Sequence, residues 1–99
     1  MLHIINKSCS QSLSFNECLK RAGLDDCILL IEDAVLCARS AIFEKLAVEI
    51  MEGVSLYVLK PDMQARGISE ADCVKRFQPV DYAGFVALTV ENNPVRSWL

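Results

Sequence analysis

The chain has 99 residues, 53% of them hydrophobic, with a mean hydropathy of +0.29 and a formal net charge of −3. That length suits one domain spanning 1–99, the apolar excess points to surface buried against other subunits, and the acidic balance without a Lys or Arg run argues against direct nucleic-acid binding. No apolar stretch reaches the roughly 20 residues that cross a bilayer, and no basic region precedes a long apolar segment as in a signal peptide, so no membrane association and a cytoplasmic location are the expectation.

Leu2-His3-Ile4-Ile5-Asn6 is a short apolar run of strand type, followed by a polar loop from Lys7 to Ser12. Ser14 and Glu17 have the spacing of a capping box at the start of a first helix, with Leu13 placed to staple onto Cys18. Lys20 and Arg21 sit favourably in its last turn, and Gly23 is a natural stop. Cys27 to Ile31 is a continuous apolar run suited to a strand covered on both faces. Asp33 then caps an apolar helical segment from Ala34 to Met51, with a break into two helices allowed near Arg39-Ser40.

Ser55 to Leu59 is the third strand, and Pro61-Asp62 to Arg66-Gly67 is a short helix with proline at its start and glycine after its end. Ser69 and Asp72 suit a further short turn. Phe77 to Val80 is a fourth strand carrying an awkward proline. Asp81 caps a helix from Tyr82 to Glu91 whose expected apolar face is Tyr82, Phe85, Val86 and Thr89, and Val95 to Leu99 is a tail or a fifth strand. This alternation predicts a three-layer α/β fold, a small parallel sheet of four to five strands with helices on both faces. Ligands in such sheets sit beyond the carboxyl ends of the strands, an edge that would include the loop leading to Cys18.

Five cysteines stand at 9, 18, 27, 37 and 73, an odd count without a C-x-x-C pair, and His3 has no thiol at ligand spacing. Zinc and disulfide frameworks are therefore both poorly supported. Cys27 and Cys37 lie in apolar segments and suit core packing, whereas exposure is plausible for Cys9 and Cys73. Cys18 has two readings. A place in the first helical turn would favour the thiolate through free N–H groups and the positive dipole end. Phe15, Cys18, Leu19 and Ala22 also form an apolar stripe, which makes inert packing the competing reading.

No G-x-G-x-x-G or Walker loop follows the first strand, so phosphate cradling is disfavoured and no cofactor is expected. No G-x-S-x-G elbow exists, and His3, within a strand, is better read as a residue satisfied by a hydrogen bond than as a base. A stand-alone thiol peroxidase is weak because no second cysteine stands at a recognisable resolving spacing.

Met1-Leu2-His3 with Asn6-Lys7-Ser8, Leu29 to Asp33, Tyr57-Val58-Leu59, Pro61-Asp62, Ala65-Arg66-Gly67, Val80-Asp81-Tyr82, Phe85-Val86, Leu88-Thr89 and Trp98 together resemble the DsrH/TusB family across nearly the whole chain. The resemblance implies a single DsrH/TusB-like domain at 1–99. It also implies a cytoplasmic sulfur-relay heterohexamer with two homologous partner subunits, in which a persulfide passes between cysteines of upstream and downstream sulfur carriers. The destination is the 2-thio group of wobble uridine in tRNA, or intracellular sulfur oxidation. Glu17-Cys18-Leu19-Lys20 resembles the cysteine-bearing segment of the sulfur-oxidising branch, which makes Cys18 the candidate persulfide carrier, with Lys20 or Lys7 as possible partners of its anion. Such a chain would be a sulfurtransferase-complex subunit rather than a complete enzyme, and a non-catalytic assembly subunit is the alternative.

Overall fold

The computed structural model describes residues 1–46 and 52–98. Its centre is a five-stranded, wholly parallel sheet in the order β4-β3-β2-β1-β5. The strands are β1 (Leu2–Ile5), β2 (Cys27–Leu30), β3 (Ser55–Leu59), β4 (Phe77–Val80) and β5 (Val95–Trp98). The C-terminal segment is thus a strand beside β1, with Ile5 opposite Trp98. Pro79 is tolerated because β4 lies at the edge of the sheet, where a missing N–H breaks no second ladder.

Alternation along the strands divides the core into two layers. Ile5, Ile28, Leu30, Leu56, Val58 and Phe77 face one side, under helix α1 (Ser14–Arg21), a 3-10 segment at Glu32–Ala38 and helix α3 (Lys60–Ala65). Leu2, Leu29 and Tyr57 face the other, where helix α4 (Tyr82–Glu91) packs with Phe85 and Leu88. The three-layer expectation therefore holds.

The second helical region departs from the single apolar helix that the composition suggests. Glu32–Ala38 is a 3-10 segment, Arg39 is extended at φ −66° and ψ 136°, and a short helix α2 (Ser40–Phe43) follows. The break falls at Arg39-Ser40 because the chain there is engaged sideways: Arg39 bridges Cys73, and Val74 N–H donates to the Ala38 carbonyl at 2.8 Å. The end of the expected helix, 47–51, lies outside the described residues.

Asp33 is not a cap. Ile31 precedes the 3-10 segment, and the Asp33 carboxylate instead accepts from Arg66 Nε and Nη2 at 3.0 and 2.9 Å. Asp62 accepts from the backbone N–H of Glu32, a non-glycine residue held at φ +50°. Several residues that carry the family resemblance are thus joints between the segment after β2 and helix α3.

The Val80-Asp81-Tyr82 segment has a similar structural cause. Asp81 caps α4 by accepting from Gly84 N–H at 2.8 Å. A Cβ on Gly84 would stand 2.9 Å from the Val80 Cβ, closer than side chains tolerate, so glycine lets α4 fold tightly back onto β4.

Candidate functional site

Helix α1 begins differently from the expected capping box. Ser14 is its first helical residue, the residue before it is Leu13, and no side chain caps it. The Ser14 hydroxyl pairs with Ser12 Oγ at 2.8 Å. Glu17 faces Lys20 at 3.8 Å and Arg21 at 4.0 Å rather than reaching back. Leu13 is 68% exposed and staples nothing. Cys18 is consequently the fifth residue of the helix, beyond the turn whose N–H groups are free.

The stripe of Phe15, Cys18, Leu19 and Ala22 is the feature that decides the place of this thiol. All four are buried, and Cys18 has no exposed surface. Burial pushes its pKa up to about 12, the Asp26 carboxylate adds to the rise, and Arg96 opposes it. The expected depression of this pKa is overturned: desolvation outweighs a dipole end that Cys18 does not touch. Lys20 is paired with Glu17 at 3.8 Å.

Close to this layer lies a polar cluster that sequence reading caught only in part. His3 is buried, its Nε2 is 3.0 Å from Asp26 Oδ2, and its Nδ1 accepts from Trp98 Nε1 at 3.1 Å. Asp26 also accepts from Gly23 N–H at 3.0 Å and from the N-terminal ammonium at 3.2 Å. Partial burial works against its charge, but these donors prevail and hold the carboxyl at about 2. His3 is a satisfied structural histidine, as its strand position suggests. Arg96 lies 4.3 Å over the Trp98 ring.

The other cysteines depart from expectation. Cys9 and Cys37 are joined in a disulfide, although no framework was expected from their spacing. The pairing is non-local: parallel β1 and β2 bring the loop after Ile5 beside the segment after Leu30. Cys73 is buried rather than exposed, through its bridge to Arg39. Burial raises the pKa of both Cys73 and Cys27. Among the described residues no cluster of three or more His, Cys, Asp or Glu could hold a metal, and no helix is long and apolar enough to cross a membrane.

On α4 the apolar face is rotated from the expected one. Phe85 and Leu88 point to the sheet, while Tyr82, Val86 and Val90 are 61%, 61% and 78% exposed. These residues recur every fourth position and form one outward apolar row. The helix is apolar nearly all round, so its pattern alone did not choose the inward face.

Comparison with known proteins places this arrangement. The family described as "DsrH like protein" matches residues 7–95. Protein TusB of Photorhabdus laumondii is 35% identical over 104 residues, covering 99% of this chain and 100% of the relative. Protein TusB of Pectobacterium parmentieri is 32% identical over 100 residues with the same coverage. In fold the chain is similar to Tm0979 of Thermotoga maritima, with a TM-score of 0.69, 24% identity and coverage of 93% of this chain and 94% of that one. It is also similar to the ychN protein of E. coli, with a TM-score of 0.67, 17% identity and coverage of 98% and 97%. The chain belongs to the DsrH family, and its sequence relatives include TusB proteins.

Proposed function

We propose that this chain is an assembly subunit of a cytoplasmic sulfur-relay heterohexamer built with two homologous subunits, in which a persulfide passes between protein cysteines. Family membership over almost the whole length supports the relay. The observation that carries the assembly role is the outward row of Tyr82, Val86 and Val90 on a helix whose other side already fills the core. An apolar row of this kind is stabilised when a partner removes it from water. Relatives named TusB favour 2-thiolation of tRNA wobble uridine over sulfur oxidation as the destination. A net charge of −3 gives the chain no overall attraction to the tRNA backbone.

A second reading keeps Cys18 as a persulfide carrier, favoured by its place in the Glu17 to Lys20 segment. Its thiolate would attack the outer sulfur of a donor persulfide, the donor thiolate would leave, and an acceptor thiolate would later take the sulfur. The buried thiol must first be uncovered and deprotonated, so this route needs α1 to lift in the complex. Deleting the gene and analysing tRNA nucleosides tests the function: loss of 2-thiouridine, restored equally by the wild-type chain and a Cys18→Ala variant, establishes the assembly role. Restoration by wild type alone transfers the role to Cys18, and unchanged 2-thiouridine sinks the tRNA reading.

A further inference from the structure

The Cys9–Cys37 pair lies outside everything described above as relay machinery, at the carboxyl edge of the sheet where parallel α/β folds place their ligands. It borders a cavity of about 100 Å³ whose other lining residues are Ser8, Ser10, Leu36, Arg39 and Ile42. The two sulfurs are unequal. Cys9 is half-buried on a loop, while Cys37 is wholly buried in the 3-10 segment. Arg39 supplies an exposed cation at the cavity, and the backbone N–H of Cys9 donates to Cys37 Sγ at 3.0 Å.

We propose that Cys9 and Cys37 form a dithiol–disulfide exchange site for low-molecular-weight thiols, with Cys9 the exchanging sulfur and Cys37 the resolving one. An incoming thiolate attacks Cys9 Sγ, the new S–S bond forms as the Cys9–Cys37 bond breaks, and the electron pair leaves on Cys37. The Cys9 N–H is already aimed at that sulfur and Arg39 lies on the same cavity, so the anion is received by groups in place. A second small thiolate attacks the small-molecule sulfur of the mixed disulfide and releases Cys9. Two small thiols are thereby oxidised to one disulfide, the protein disulfide is reduced to a dithiol, and the two protons lost by the small thiols are taken up at Cys9 and Cys37. The reverse sequence consumes a small-molecule disulfide. A cavity of this size admits the end of a short thiol and excludes a nucleotide.

The site needs no partner subunit, so its failure would leave the relay reading untouched. The test equilibrates the native full-length chain in buffers of reduced and oxidised glutathione, quenches it by alkylation and reads each cysteine by peptide mass spectrometry. Wild type should interconvert between dithiol and disulfide without denaturant, Cys37→Ser should accumulate glutathione on Cys9, and Cys9→Ser should carry none on Cys37. A wild-type disulfide that resists glutathione until the protein is unfolded, or an adduct found on Cys37, overturns the proposal. The wild-type measurement decides even if either serine variant folds poorly.

Discussion

The indole N–H of Trp98 donates to Nδ1 of His3 across 3.1 Å, tying the last strand to the first through a buried imidazole. Since Nδ1 is the acceptor, the neutral ring carries its proton on Nε2 and donates it to Asp26. A Trp98→Phe substitution keeps most of the apolar contact but strands a buried acceptor, costing about 1–3 kcal/mol. Urea unfolding should show a lower midpoint with an unchanged slope. An unmoved midpoint would show that the bond contributes nothing.

Asp26 gives the fold a defined acid limb. Its carboxyl is held at about 2 against an ordinary 3.8, so the folded state binds the proton less tightly than the unfolded state. The resulting stability, about 2 kcal/mol, is complete above the ordinary value and is lost as pH falls through the folded one. Wild type should lose stability between about pH 4 and pH 2 from this group, and Asp26→Asn should flatten that part of the profile. Denaturant titrations across the range give the comparison.

Cys18 sets a limit on the alkaline side. With its pKa raised to about 12, the thiol should alkylate far more slowly in the folded chain at neutral pH than after unfolding. The unfolded state deprotonates first, so the stability tied to this group is complete below about 8.5 and declines as pH rises toward the folded value. Cys18→Ser places a hydroxyl where no surface is exposed and should destabilise by about 1–3 kcal/mol, whereas Cys18→Ala loses mainly packing. Iodoacetamide labelling that is equally fast in both states would refute the buried-thiol account.

Much of this architecture was legible in the residues because strand signals are local. The runs at Leu2, Cys27 and Ser55 are apolar on both faces, and the awkward Pro79 of the fourth strand found its explanation only in the edge position that the fold gives it. What escaped detection was set by distant neighbours. Asp33 reads as a cap until Arg66, brought near by the fold, takes its carboxylate. Cys18 was legible as packing from its stripe, whereas its expected place in a capped first turn was not met, because the capping pattern at Ser14 and Glu17 was spent on Ser12, Lys20 and Arg21 instead. Cys9 and Cys37 stand 28 positions apart, and only the parallel pairing of β1 and β2 brings their loops together.

That disulfide should stabilise by limiting the unfolded chain. Closing a loop with a sequence separation of 28 is worth about 3.5 kcal/mol in the chain-entropy treatment. For a chain of 99 residues this corresponds to a fall in Tm of roughly 10 °C or more when the bond is reduced. Calorimetry with and without a phosphine reductant measures it, and Cys9→Ser should match the reduced wild type. A Tm insensitive to reduction would mean that the unfolded chain is restrained by other means.

The outward row on α4 yields the prediction closest to function. Val86, the middle member of the row, is 61% exposed, so Val86→Asp places a charge on the surface without disturbing Phe85 or Leu88, which pack inward. The isolated fold should change by no more than about 0.5 kcal/mol, as surface substitutions generally do. Co-purification with the two homologous subunits of the proposed heterohexamer should fall sharply, since an unpaired carboxylate in an apolar contact must be desolvated. Phe85→Asp provides the contrast, because it attacks the packed side and should unfold the chain before assembly is tested. Wild type alone should self-associate as concentration rises, and Val86→Asp should suppress this by removing the apolar continuity of the row. Sedimentation of the two proteins alone and with the partners separates the effects: normal assembly by a folded Val86→Asp chain would remove α4 as the docking face.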